Sequence, residues 1–372
     1  MSITLHEHPV VAIAHDYLTV VGGAERVVAS MVHAFPGAPV YTSLYEPERV
    51  HDELASRIDV HTSALNRVGV LRRNHRLAVP FLGPAFDHLH VDADVVVCST
   101  SGWAHGISAS GRKIAYCHNT PRWVHQRREY APINRPMWWA MAGAMHPYLK
   151  RWDRKAAESC SRYLAVSTVV AKRIRDAYGI EATVLPPPTS FDPAGPQIEV
   201  RGASPGCYLN VNRLMGHKNT DAVLEAFAEM PDLQLVIVGD GPERARLTAS
   251  APRNVLMTGQ VDDSQLRWLY ANCTGLVSAS REDFGLTPLE AASFGKPAAL
   301  LRFGGFLDTM VEGETAIFFD DPDPASISPA VRSLESEVWA EGAIQDNADR
   351  FSSSRFEAQL REIVAEELAE LH

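Results

Sequence analysis

Short apolar, β-branched runs alternate in this chain with longer stretches whose apolar residues recur at helical spacing, and the alternation occurs twice. In the first half Val10–Ala14 reads as a strand, followed by His15-Asp16, a loop carrying Gly22-Gly23, and a helix from about Ala24 to Phe35. Further strands are predicted at Asp94–Cys98, Lys113–Cys117 and Arg162–Val166. Apolar strands separated by helices predict a parallel sheet covered on both faces.

The pattern breaks at Pro186-Pro187-Pro188 and Phe191-Asp192-Pro193-Ala194-Gly195-Pro196, which cannot continue a helix or a central strand and read as a linker. It then restarts. Strands are predicted at Cys207–Val211, Gln234–Val238, Val255–Thr258, Leu276–Ser278 and Ala298–Leu301. Helices are predicted at Thr220–Met230, Pro242–Thr248, Ser264–Ala271 and Thr287–Phe294, and the amphipathic Ser354–Leu371 reads as a final surface helix. The expected organisation is two doubly wound, Rossmann-like α/β domains, residues 1–190 and 198–352, followed by a helical segment at 353–372. Two such sheets place a ligand cleft at the carboxyl ends of their strands.

A length of 372 residues suits two domains, and 46% hydrophobic with 22% charged residues is ordinary for a water-soluble chain. No leader pattern and no membrane-spanning run is found. Cys98, Cys117, Cys160, Cys207 and Cys273 lack metal-type spacing and read as reduced thiols of a cytoplasmic protein. A net charge of −10 argues against nucleic-acid binding. Through residue 192 there are 21 basic against 17 acidic residues, and beyond it 14 against 28, so the halves are suited to different partners.

The candidate chemistry is densest at Ser280–Pro297, where Glu282 and Glu290 flank Phe284-Gly285-Leu286, a turn entering a helix at Thr287. Such a turn aims free amides and the positive end of a helix at a bound anion, while the two carboxylates accept from hydroxyls. The competing reading is a capped amphipathic helix packed through Leu289, Ala292 and Phe294. Asp283-Phe284-Gly285 matches the kinase triplet, but no kinase-type catalytic loop stands upstream. Arg213 and Lys218, after the first strand of the second half, suit a diphosphate, and their alternative is two solvated loop cations. Gly22-Gly23 would let backbone approach a phosphate, though it is not a complete dinucleotide fingerprint. Asp240 is expected to shape a turn.

His118 ends a predicted strand and is either a sugar-facing group or a satisfied structural histidine. His15 and Asp16 are adjacent on an extended chain, so they are expected to have separate roles. Asp92-Ala93-Asp94 has a metal–diphosphate pattern but precedes a strand, so it reads as a turn, and no essential metal or cofactor is expected. In Pro121–Lys155 basic residues alternate with Trp123, Trp138, Trp139 and Trp152, and Arg72, Arg73, His75 and Arg76 form a second basic cluster. Either this is an interfacial surface for anionic lipid or the tryptophans pack inward in a helical hairpin.

Together these residues resemble the family 4 glycosyltransferases over nearly the whole chain, most specifically in the second half. That resemblance implies the GT-B fold, with the 353–372 segment crossing back to the first domain, and a retaining, metal-independent transfer from a nucleoside-diphosphate sugar. It implies Glu282 near the transferred sugar, amides of Phe284, Gly285 and Leu286 on the donor, and Glu290 on ribose hydroxyls. It also implies Arg213 and Lys218 on the diphosphate, Val261 reading the base, Gly22 and Gly23 closing over the diphosphate, and His118 beside the sugar. The stretch His118-Asn119-Thr120-Pro121-Arg122-Trp123 is similar to mannosyltransferases of surface-polysaccharide assembly, departing from their usual His-Thr-Pro. The expected reaction moves mannose from GDP-mannose to a lipid-linked or polysaccharide acceptor at the inner face of a membrane. A nucleotide-sugar epimerase and an inactive nucleotide-sugar-binding protein are the alternatives.

Overall fold

The computed structural model describes residues 9–371 except 21, 51–53, 56, 57, 127–135 and 190, with backbone alone at 76, 136–142 and 144. The chain forms two compact units, one of Met1–Pro188 with Ser353–His372, the other of Thr189–Ser352.

The strands of the first unit are β1 (Val11–His15), β2 (Val40–Thr42), β3 (Val60–Thr62), β4 (His90–Val91), β5 (Val95–Thr100), β6 (Ser108–Ala109), β7 (Arg112–Cys117), β8 (Arg162–Ala165) and β9 (Thr183–Val184). Seven make one parallel sheet in the order β3-β2-β1-β5-β7-β8-β9, and β4 pairs with β6 separately. Every residue of β5 is buried, because helices cover both faces, and this is why its sequence shows no polar alternation. Strand order reverses between β1 and β5, the switch point where doubly wound sheets open a crevice. Register places His15 opposite Ser99 across that reversal.

One face of this sheet packs on Leu82, Phe86, Trp103 and Trp152. Trp152 is buried against Gly83 and Gly106, where an added Cβ at Gly106 would lie 2.3 Å from the indole. Its Nε1 donates to Asp87. Trp123 stacks on Trp103 with centroids 4.2 Å apart. These two tryptophans pack inward, as in the second alternative, Trp152 buried and Trp123 partly so. The side chains of Trp138 and Trp139, residues 127–135 between the flanking helices, and the Arg76 side chain lie outside the described residues.

The helix Ser353–Ala369 lies in this unit, burying Phe356, Leu360 and Val364. Its polar side is fastened by Arg112 and Arg162, whose guanidiniums meet Glu367 at 2.6 and 3.0 Å. Ser161 adds a hydrogen bond to the same carboxylate, so this buried charge is fully engaged.

The second unit holds β10 (Tyr208–Val211), β11 (Leu235–Val238), β12 (Val255–Gly259), β13 (Gly275–Ser278), β14 (Ala298–Leu301) and β15 (Ala316–Phe319). They form a parallel sheet in the order β12-β11-β10-β13-β14-β15, with its switch point between β10 and β13. Buried Asn210 spans that junction, its side-chain amide donating to the Val277 carbonyl at 2.7 Å. Val223, Phe227, Leu235, Ile237, Val277 and Leu334 are among the core residues of this unit.

Most predicted strands and helices fall within two residues of the observed ones. The short strands β2, β3, β9 and β15 and the helix Pro324–Ser336 were not read from the sequence. The helix expected at Thr287–Phe294 ends at Ala292, two residues before its predicted end, and Gly295 follows with φ +70°.

Candidate functional site

In the second unit the expected groups stand at the carboxyl ends of the two strands that meet at the switch point. Arg213 and Lys218 follow β10, and Glu282 to Leu286 follow β13. Asn219 takes a left-handed conformation, φ 48°, at the end of the first loop, and its side chain donates to the Ala279 carbonyl at 2.8 Å. Asparagine tolerates that conformation better than most residues, so the Gly216-His217-Lys218-Asn219 turn is locked onto the β13 loop. Lys218 Nζ donates to Glu282 Oε1, both side chains being largely buried. An ammonium has three protons, so this pairing leaves two to offer elsewhere.

Arg213 is exposed, and among the described residues its guanidinium has no hydrogen bond or ion pair. The amides of Phe284, Gly285, Leu286 and Thr287 likewise donate to nothing among the described residues. Four unpaired amides on the loop after β13, and a permanent cation on the loop after its neighbour β10, are groups suited to an anion.

This turn is built against a glycine pair that the sequence reading missed. The Gly305 amide donates to the Glu282 carbonyl at 3.1 Å, and a Cβ at Gly305 would lie 2.2 Å from Phe284 Cα. Gly304 has φ +61° and equally little room, since a Cβ there would lie 2.0 Å from the Glu282 carbonyl oxygen. Phe303-Gly304-Gly305-Phe306 was the available signal. Phe284 is buried against Phe351, so its contribution to a ligand is through backbone.

Glu282 and Glu290 have different partners. Glu290 is buried, 8% exposed, and its Oε2 accepts from the Tyr270 hydroxyl at 2.8 Å. Tyr270 stacks on Phe294 and edges Phe191, so the ring that orients this carboxylate is itself fixed. Val261 is half-buried in the loop after β12, immediately before Asp262 caps the helix Asp263–Asn272 with a reciprocal Gln265 hydrogen bond. Asp240 closes its turn by accepting from the Gly241 amide at 2.7 Å.

In the first unit Gly22 precedes the helix Gly23–Ala34 with extended backbone. His118 follows β7, partly exposed, with Nε2 on Ser99 Oγ at 2.8 Å. Burial pushes its imidazole down to about 3, and the charge of His15 acts in the same direction. Asp16 and His15 do have separate partners. The Asp16 carboxylate accepts from the amides of Ser101, Trp103 and Ala104 at 2.8, 3.2 and 2.7 Å, and from Thr100 Oγ1 at 3.1 Å. Asp94 accepts from the Val10 amide at 2.8 Å, at the amino end of β5 and away from the crevice.

Two family models match the chain, Glycosyltransferase Family 4 over residues 21–192 and Glycosyl transferases group 1 over 197–350. The chain is similar to an uncharacterized glycosyltransferase, YqgM, of Bacillus subtilis, 28% identical over 187 residues, 48% of this chain and 52% of that protein. It is also similar to a GDP-mannose-dependent alpha-mannosyltransferase of Corynebacterium glutamicum, 28% identical over 222 residues, 55% of this chain and 48% of that one. These matches span about half the length of each relative. Among solved structures, Anabaena HepE in complex with UDP and glucose superposes with TM-score 0.67 at 16% identity, over 96% of this chain and all of that one. The fold is thereby GT-B, two Rossmann-like domains with parallel sheets.

Proposed function

Because the chain belongs to the glycosyltransferases of GT-B fold, we propose that it moves a sugar from a nucleoside diphosphate to a hydroxyl acceptor with retention at the anomeric carbon. The observation that carries this reading is the pair of loops after the adjacent strands β10 and β13, one bearing Arg213, unpaired among the described residues, the other the four unsatisfied amides at Phe284–Thr287, joined by the Lys218–Glu282 ion pair. These donors suit the two phosphates of the donor, and Glu282 suits a hydroxyl of the transferred sugar. Glu290, oriented by Tyr270, suits the ribose, and Val261 the base. In the first unit, His118 suits a sugar hydroxyl and the Gly22-Gly23 backbone a phosphate.

As the bond from the anomeric carbon to the β-phosphate oxygen breaks, negative charge builds on the diphosphate, where Arg213, Lys218 and the amides stabilise it. The acceptor oxygen bonds to the anomeric carbon from the face the diphosphate leaves, and its proton passes to the departing phosphate oxygen. This route requires neither a protein nucleophile nor a metal, since fixed cations meet the charge. Mannose from GDP-mannose is the donor of first choice, supported by the similarity to the mannosyltransferase of Corynebacterium glutamicum.

A thermal-shift series tests this. At a hundredfold excess over its dissociation constant the true donor stabilises by about 2.7 kcal/mol, raising the melting temperature by roughly 5–10 °C. GDP-mannose is expected to do so above UDP-glucose, with sugar transferred to added acceptor. If no sugar nucleotide shifts the transition or releases its nucleoside diphosphate, the transferase reading fails. Interconversion of donor sugars without acceptor would instead establish an epimerase.

The acceptor is proposed to be presented at an anionic membrane surface, which the second basic cluster supports better than the tryptophans do. Val68, Val70, Leu77 and Phe81 are 47, 59, 52 and 54% exposed, and Arg67 and Arg73 are exposed among them. Apolar side chains interleaved with arginines match the headgroup boundary of anionic lipid. The protein is expected to float with phosphatidylserine vesicles at low salt and to be released at high salt, and Val70→Asp with Phe81→Asp to abolish flotation. Flotation equal on neutral and anionic vesicles, or none, would refute this assignment.

A further inference from the structure

Four side chains from separate segments form one line in the first unit, an ion-pair contact at one end and hydrogen bonds along the rest. Glu25, in the first turn of the helix Gly23–Ala34, places Oε1 3.7 Å from His15 Nε2. On its other side His15 Nδ1 lies 3.2 Å from the Ser99 carbonyl and 3.0 Å from Ser99 Oγ. Ser99 Oγ then lies 2.8 Å from His118 Nε2. His15, Ser99 and Glu25 are all buried. Their strands are the adjacent β1, β5 and β7, with His118 just beyond the last.

The donor and acceptor inventory orders the protons. Nδ1 of His15 meets both the Ser99 hydroxyl, which can donate or accept, and the Ser99 carbonyl, which only accepts and so requires a hydrogen on that nitrogen, while a carboxylate, which cannot donate, faces Nε2. Both ring nitrogens therefore carry hydrogens. Ser99 Oγ accepts from His15, so its single proton is directed to the other neighbour, His118 Nε2. That nitrogen is then an acceptor, and the remaining proton of the neutral ring resides on Nδ1. We propose that Glu25, His15 and Ser99 are positioning residues that hold His118 as the neutral, Nδ1-protonated tautomer, a hydrogen-bond donor to the sugar. The role of the line in turnover rests on the reading of His118 given above.

The charge balance agrees with the geometry. Burial opposes charging His15, but the nearby Glu25 carboxylate, the Asp16 charge and the Ser99 carbonyl outweigh it and leave its pKa raised. Against His118 stand Ser99 from β5 and Tyr116, whose ring is edge-on at 5.2 Å, and the charge of His15 acts on it from β1, while Glu25 from the helix and Asp16 act on His15. Gly22 fits the same arrangement, since a Cβ there would lie 2.8 Å from Glu25 Oε2. Its lack of a side chain leaves room for the carboxylate to fold back over the start of its own helix. The sequence offered no single motif for this line, because its members lie at positions 15, 25, 99 and 118.

Nitrogen-15 spectra of histidine-labelled full-length protein test the proposal directly, with His118→Asn identifying the resonances. Wild-type His118 is expected as the Nδ1-protonated tautomer from pH 5.5 to 8. Ser99→Ala is expected to release it to the Nε2-protonated form and to lower kcat roughly tenfold, while Ser99→Thr, which keeps the hydroxyl, restores both. His15→Gln removes the neighbouring cation, so His118 is expected to titrate at a higher pH than in the wild type. An Nε2-protonated ring in the wild type, or an unchanged tautomer in Ser99→Ala, overturns the assignment. The wild-type spectrum decides even if a variant fails to fold. If the tautomer is as expected but His118→Asn leaves kcat unchanged, the line stands and the catalytic reading of His118 falls.

Discussion

Lys218→Ala is expected to lower kcat for sugar transfer about a hundred- to a thousandfold, the usual cost of removing one preorganised group that stabilises charge in a transition state. The side chain donates to Glu282, at the start of the loop whose amides at Phe284–Thr287 have no partner among the described residues. Its loss removes a donor from the leaving diphosphate and also frees Glu282 to swing. Arg213→Ala is expected to cost a similar factor, and the double variant less than the product, because both act on one developing charge. Arg213 is exposed and has no hydrogen bond or ion pair among the described residues, so its variant should melt where the wild type does. The measurement is steady-state turnover with saturating donor, alongside a melting curve. Turnover within threefold of the wild type for Lys218→Ala would remove this residue from the site.

The second large effect concerns stability. Asp16→Ala is expected to destabilise the first unit by about 3 kcal/mol, because it leaves the buried Ala104 amide and its neighbours without an acceptor. For a unit of this size that corresponds to roughly 6–12 °C in melting temperature. Asp16→Asn keeps one carbonyl oxygen but turns an NH2 group toward a backbone donor, so it should fall between. A melting temperature for Asp16→Ala within about 2 °C of the wild type would show that the 100–104 loop finds other acceptors.

Legibility in the sequence followed burial and proximity along the chain. Central strands such as Val95–Thr100 and Leu235–Val238 were visible because both faces are covered, leaving an unbroken apolar run. The three-residue strands β2 and β3 were not, since β3 has no buried residue and neither is long enough to show a period. In the candidate site, Glu282 to Thr287 could be read because turn and helix are contiguous. The Tyr270 contact to Glu290 and the Gly304-Gly305 backing of the turn could not, because each joins segments about twenty residues apart through tertiary packing. The tryptophans misled in part. Interleaved Trp and Arg fit a surface pattern equally well as a helix that buries its rings and exposes its charges, and the room that the glycines at 83 and 106 leave for Trp152 is a tertiary feature.

One feature of the chain path bears on how the protein is made. The second unit is an insertion within the first, entered at Thr189 and left at Ser352, two residues that bridge to each other. The helix Ser353–Ala369, which supplies Leu360, Val364 and Glu367 to the first unit, is translated after the whole insertion. On a ribosome adding about 5–20 residues per second, the first unit therefore waits roughly 10–30 s with its helix-binding face open. During that interval the second unit has all of its strands and can fold. The unit begun first is finished last.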